Sequence, residues 1–66
     1  MKLIVNGETR RVPEGATVAV LVEEMGLQGR RLAVEVNMEI VPRSSYDRHF
    51  LAPGDRVEIV HAIGGG

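Results

Sequence analysis

Residues 17–27 read TVAVLVEEMGL, and this stretch decides the fold. Val18, Leu21, Val22 and Met25 fall at i, i+3, i+4 and i+7, which places them on one face of a helix, while Glu23 and Glu24 lie off that stripe. Thr17 suits the N-cap, where its hydroxyl can accept from a free backbone N–H. Gly26 suits the left-handed position just past the last turn, and Leu27 can fold back over that turn as in a Schellman cap. The spacing predicts a single amphipathic helix over residues 18–25.

Outward from the helix the apolar period changes from near four to two. On the N-terminal side, Leu3-Ile4-Val5, Asn6-Gly7 and Thr9–Val12 predict a β-hairpin, because Asn-Gly tolerates the two positive φ angles of a type I′ turn. Pro13-Glu14-Gly15 ends its second strand. On the C-terminal side, Gln28-Gly29-Arg30 is a connector, after which Leu32, Val34 and Val36 alternate with Ala33, Glu35 and Asn37 as a strand with one buried face. Asn37-Met38-Glu39 turns the chain into Ile40-Val41, a short strand stopped by Pro42. Residues 43–51 are irregular, and Ser44 with Asp47 is expected to cap one helical turn there. Pro53-Gly54-Asp55 makes a tight turn into a last strand, Arg56–His61.

The element order is therefore β-β-α-β-β-turn-β. One helix cannot hide its apolar stripe alone and must lie across a sheet. The helix also links the second and third strands, which gives a crossover length of chain rather than a hairpin. The fold class that follows is α+β, with one mixed sheet of four to five strands packed on one amphipathic helix. The pattern does not fix the strand order.

Sixty-six residues allow one small domain. Residues 1–63 are expected to form it, with residues 64–66 as a flexible C-terminal glycine tail. The core must be aliphatic, since the chain has one Phe, one Tyr and no Trp. Without cysteine there is no disulfide scaffold, no Cys-ligated zinc or iron–sulfur site and no thiol nucleophile. The formal net charge is −1 with both signs scattered, so no basic block is present to displace counterions from nucleic acid. The apolar run at the N-terminus is too short for a signal core or a membrane span. A cytoplasmic protein with neither nucleic acid nor membrane as partner is the expectation.

Candidate chemistry is sparse. His49 and His61 are the only imidazoles and have no converging ligands around them, so no metal site is expected. Ser44, Ser45, Asp47 and His49 include the residue types of a hydrolytic triad. Triads, however, draw their members from distant parts of a chain, and no Gly-x-Ser-x-Gly elbow is present. The pairs Arg10-Arg11 and Arg30-Arg31 read as solvated charges on strand edges. Gly64-Gly65-Gly66 follows a strand but opens no helix, so it is not a phosphate loop.

Two readings of those glycines stand side by side. One is a frayed chain end. The other is a delivery arm, in which residues without side chains thread a channel too narrow for a Cβ and bring the Gly66 carboxylate to a reactive centre. Fully extended, the five residues after His61 reach about 17 Å. No other chemistry is available in the chain, and that favours the arm. Ile63 and Val60 lie nearest to it, and Met38 sits at a turn where an exposed apolar side chain is plausible. These three are candidate partner-docking residues, although Val60 could equally be core.

Several segments, taken together, resemble one family. They are Asn6-Gly7 in the first hairpin, Gly15-Ala16-Thr17-Val18 at the helix start, Ala33-Val34-Glu35-Val36-Asn37, Ile40-Val41-Pro42-Arg43, Gly54-Asp55-Arg56-Val57-Glu58-Ile59, and the closing Gly-Gly. In this order and over the whole chain they resemble ThiS, the ubiquitin-like sulfur carriers of thiamine biosynthesis. Gly64 is an additional glycine before the family's terminal pair.

The resemblance implies a β-grasp fold and a mechanism in which the chain is a protein cosubstrate rather than an enzyme. Gly66 is the implied site of adenylation and thiocarboxylate formation, with Gly65 and Gly64 recognised as the tail. The implied partners are a ThiF-type adenylating enzyme that uses MgATP, a persulfide sulfur donor, and a ThiG-type thiazole synthase that takes the sulfur. No cofactor is expected on the chain itself. Three alternatives share parts of this pattern: a MoaD-type carrier for molybdopterin synthase, a ubiquitin-like modifier of lysines, and a TGS-like RNA-binding module. The last is weakened by the acidic balance and the lack of stacking aromatics.

Overall fold

The computed structural model describes residues 1–61. Strands β1 (Lys2–Val5) and β2 (Glu8–Arg11) form the first hairpin, followed by helix α1 (Val18–Glu24). Strands β3 (Leu32–Val36) and β4 (Glu39–Val41) form a second hairpin, and a 3₁₀ turn over Arg43–Ser45 precedes strand β5 (Arg56–His61). The five strands make one sheet in the order β2-β1-β5-β3-β4. The sheet is mixed, because β5 runs parallel to β1 and antiparallel to β3.

Local chemistry accounts for the elements. Asn6 and Gly7 take φ angles of 50° and 82°, as the two-residue turn requires. At the helix start the Thr17 hydroxyl accepts from the Val20 N–H at 3.3 Å. At its end Gly26, with φ 72°, donates to the Glu23 carbonyl at 2.9 Å, and the Leu27 N–H reaches back to the Val22 carbonyl at 3.0 Å. That pair of bonds is the Schellman arrangement. The helix is one residue shorter than its apolar stripe, since Met25 forms the cap itself.

Leu3 and Val5 on β1, Val34 and Val36 on β3, Val41 on β4, and Val57 and Ile59 on β5 are all buried. They meet Val18, Leu21 and Val22 of α1, so the helix covers one face of the sheet. Only aliphatic side chains occupy this buried cluster among the described residues, with Tyr46 packed against its margin.

Two expectations need correction. The turn at residues 43–45 begins one residue before Ser44, after Pro42, and no side chain caps it. Pro42 occupies the cap position with an extended backbone and has no side-chain acceptor to offer. The whole irregular segment has a different task, closing the N-terminus of α1. The Val18 N–H donates to the His49 carbonyl at 3.0 Å and the Ala19 N–H to the Tyr46 carbonyl at 2.9 Å. These bonds satisfy donors that a helix start leaves free.

The arginine pairs also differ from a simple edge role. Arg11 is exposed on the edge strand β2, but Arg10 is half-buried and donates to the Glu24 carbonyl at 3.3 Å. A cation at the C-terminal end of a helix is favourably placed against its dipole. Arg30 and Arg31 precede β3, which is an interior strand.

Candidate functional site

Strand β5 leads directly into residues 62–66. The candidates Ile63, Gly64, Gly65 and Gly66, and the tail boundary at residue 64, therefore lie outside the described residues. What is described is the platform from which that segment departs.

β5 lies between β1 and β3, and its two flanks are held differently. Along β3 it is paired from Val57 through His61, as Val36↔Val57 to Leu32↔His61. Along β1 the pairing covers only Ile4↔Arg56 and Val5↔Val57, because the chain then turns away. The side chain of Asn6 continues the ladder in place of the missing strand. Its Oδ1 accepts from the Ile59 N–H at 2.8 Å and its Nδ2 donates to the Ile59 carbonyl at 3.3 Å.

A second asparagine holds the start of the strand. The Asn37 N–H donates to the Arg56 carbonyl at 2.7 Å, and its Oδ1 accepts from the Arg56 N–H at 3.0 Å. Its Nδ2 donates to Asp55 Oδ1 at 3.0 Å, while Asp55 Oδ2 accepts from the Ala52 N–H at 2.8 Å. Sequence reasoning gave Asn6 and Asn37 only their turn roles. Their amides are complete in both donor and acceptor, which is what allows a side chain to replace a peptide unit.

The helix-free face of the sheet is the surface beside the departing segment. Val60 lies on it with 62% exposure, which settles the choice between surface and core. Its cross-strand partner is Ala33. Toward the other edge, Glu35 faces Glu58 on β5 and Ile40 on β4, so these three form one row across the sheet. Ile40 is 74% exposed. It is the docking candidate that sequence reasoning missed, and period-two alternation from the buried Val41 would have placed it on this face.

Met38 is also exposed, at 91%, but it does not join Val60. It sits at the tip of the β3–β4 hairpin, next to the start of β5, with φ 72°. Val60 is near the other end of that strand, four residues along, or about 13 Å. Ile40 shares the open face with Val60 but lies two strands over and two residues back, with Ala33 and Glu35 between them.

The remaining candidates are not assembled into a site. His49 serves the fold through its backbone carbonyl, and His61 pairs with Leu32 at the end of β5. Among the described residues no group of three or more His, Asp or Glu side chains could hold a metal ion. No pocket is found among them either, and no helix is long and apolar enough to cross a membrane.

Comparison with known proteins supplies the context for this face. The sequence model of the ThiS family matches residues 3–66. The chain is similar to a thiazole synthase of Paramagnetospirillum magneticum, with 50% identity over 66 residues, all of this chain and 20% of that protein. A thiazole synthase of Magnetococcus marinus shows 38% identity, again over 20% of its length. The chain thus spans a fifth of the length of these relatives. It is also similar to the sulfur carrier protein ThiS of Escherichia coli, with 29% identity over 100% of both chains. Among solved structures, the thiamine biosynthesis protein (ThiS) of Geobacter metallireducens superimposes with a TM-score of 0.85 at 33% identity, covering 100% of both chains.

Proposed function

The chain belongs to the ThiS family, the sulfur carriers of thiamine biosynthesis, and from that premise we propose that it carries sulfur as a thiocarboxylate on Gly66. The observation that supports this most directly is the family match, which extends through residue 66. The chemistry requires Gly66 to bear a free carboxylate, which is anionic at neutral pH and a poor electrophile. On a ThiF-type partner, a carboxylate oxygen attacks the α-phosphorus of MgATP and pyrophosphate leaves. The resulting acyl-adenylate has a good leaving group. The terminal sulfur of a persulfide then attacks the acyl carbon, AMP departs, and a thiol cleaves the S–S bond to release the thiocarboxylate.

ATP and the persulfide belong to the partners, and the chain is a cosubstrate acting in the cytoplasm. The long thiazole synthase relatives, which contain a stretch similar to this whole chain, favour a thiazole-forming enzyme as the sulfur acceptor over a molybdopterin-type one. Gly64 and Gly65 let the backbone enter a channel that a Cβ would block, and the partners dock on the open face beside Val60 and Ile40. Ile63 adds an apolar anchor next to the glycines, whereas Met38 reaches a partner only if the contact spans the length of the sheet.

Intact-mass analysis after incubation with MgATP, a ThiF-type enzyme and a sulfur source tests the carrier role. The expected result is exchange of one oxygen for sulfur, mapped to Gly66. An unchanged mass with an enzyme competent on another ThiS protein overturns it. Gly65→Val is expected to slow adenylation strongly, and a normal rate would rule out the narrow channel.

A further inference from the structure

Asn6-Gly7 combines two features that the sulfur-carrier role does not use. Its first residue carries the amide that completes the β5 ladder, with Oδ1 accepting from the Ile59 N–H at 2.8 Å and Nδ2 donating to the Ile59 carbonyl at 3.3 Å. Its second residue has no side chain to hinder approach to its backbone nitrogen. Asparagine followed by glycine is for that reason the pair most prone to attack of the following nitrogen on the side-chain carbonyl carbon. Asn6 is also exposed, so water can complete the reaction.

We propose that Asn6 is a latent self-modification site, which the Ile59 clamp keeps closed and which, once converted, loosens β5. With both amide atoms held on Ile59 and the turn fixed at φ 50° and 82°, Cγ is not free to turn onto the Gly7 nitrogen. When the end of β5 opens, that nitrogen gives up its proton and bonds to Cγ. The Cγ–Nδ2 bond breaks, and ammonia leaves with the proton. Water then opens the cyclic imide. Cleavage between the Gly7 nitrogen and Cγ gives aspartate, and cleavage between the Gly7 nitrogen and the main-chain carbonyl carbon of residue 6 gives isoaspartate. Water is the only co-reactant.

Either product disables the clamp. Aspartate still accepts from the Ile59 N–H, but at neutral pH its second carboxylate oxygen has no proton and meets the Ile59 carbonyl where Nδ2 donated. Isoaspartate inserts an extra backbone atom into a two-residue turn whose φ angles are already set. The conversion does not reverse, so each opening that leads to it permanently weakens the strand that runs into residues 62–66. Asn37 supplies a contrast within the same chain. It holds the same left-handed turn position, with φ 51° and its amide bonded to Arg56 and Asp55, but Met38 follows it and hinders the attacking nitrogen.

The test incubates the wild-type protein at one mildly alkaline pH, in buffer and in concentrated guanidinium chloride. Peptide mapping by mass spectrometry follows Asn6 and Asn37, and isoaspartyl methyltransferase labelling tells isoaspartate from aspartate. In denaturant Asn6 is expected to convert faster than Asn37. In the folded protein its conversion is expected to be roughly tenfold slower or more, a factor that two hydrogen bonds of ordinary strength supply. Converted protein, separated by its added negative charge and refolded, is expected to show a lower urea midpoint and faster amide exchange at Ile59 than unconverted protein carried through the same treatment. Equal rates in the folded and denatured chain overturn the protection by the clamp, and an Asn6 no faster than Asn37 in denaturant overturns the role of Gly7. Converted protein with the original midpoint and Ile59 protection overturns the loosening of β5. None of these readouts involves adenylation or sulfur, so the proposal is decided independently of the carrier function.

Discussion

Asn6 links the first hairpin to a strand 53 residues away, and its replacement gives a measurable account of what holds β5. Asn6→Gly removes both hydrogen bonds to Ile59 and leaves the φ of 50° to the residue that adopts it most easily. Two bonds at about 0.5–1.5 kcal/mol each predict a loss of about 1–3 kcal/mol. Asn6→Ala removes the same bonds and adds left-handed strain of about 1–2 kcal/mol. A 66-residue domain has roughly 3–10 kcal/mol in total at typical per-residue stability, so the alanine variant loses a large share of it. Urea unfolding with an unchanged m-value measures both losses. The extra freedom of glycine in the unfolded chain also lowers stability, and a local readout separates that contribution. Amide exchange at Ile59 is expected to accelerate more than exchange at Val34 or Val57, because its acceptor is gone and β1 does not reach it. A glycine variant within about 0.5 kcal/mol of the wild type, or Ile59 protection that changes only in step with the rest of β5, would falsify the clamp.

Two further substitutions test the packing and the second turn. Met38 holds φ 72° in a two-residue turn where glycine is preferred, so Met38→Gly is expected to raise stability by about 1 kcal/mol in urea unfolding; a decrease would mean that the exposed methionine makes contacts that sustain the hairpin. Leu21→Ala at the fully buried centre of α1 is expected to cost about 2–5 kcal/mol. An unfolding midpoint close to the wild type's would show that the helix does not cover the sheet as described.

The features legible from sequence were those whose cause is local. The Asn6-Gly7 turn, the Thr17 cap and the Gly26 terminus each depend on a residue and its near neighbours, and the alternation of Leu32, Val34 and Val36 orients a strand without reference to any other. The parallel pairing of β1 with β5 was not legible, because it joins the two ends of the domain and is selected by where α1 can lie across the sheet. Residues 43–51 looked irregular for a related reason. They act on the helix through the carbonyls of Tyr46 and His49, and a backbone carbonyl leaves no mark on residue type. The same limit explains the failed pairing of Met38 with Val60. Met38 was rightly placed in an exposed position and Val60 was left open between surface and core, but their separation is set by the antiparallel register of β3 on β5, which puts the hairpin tip beside Arg56 rather than His61. Alternation could have gone one step further at Ile40. Once Val34, Val36 and Val41 are assigned to the buried face, Ile40 and Glu35 must point the other way, and only the register of β5 then brings Glu58 and Val60 to them. The tail-proximal surface is thus half written in each strand and completed by the order in which the strands pair.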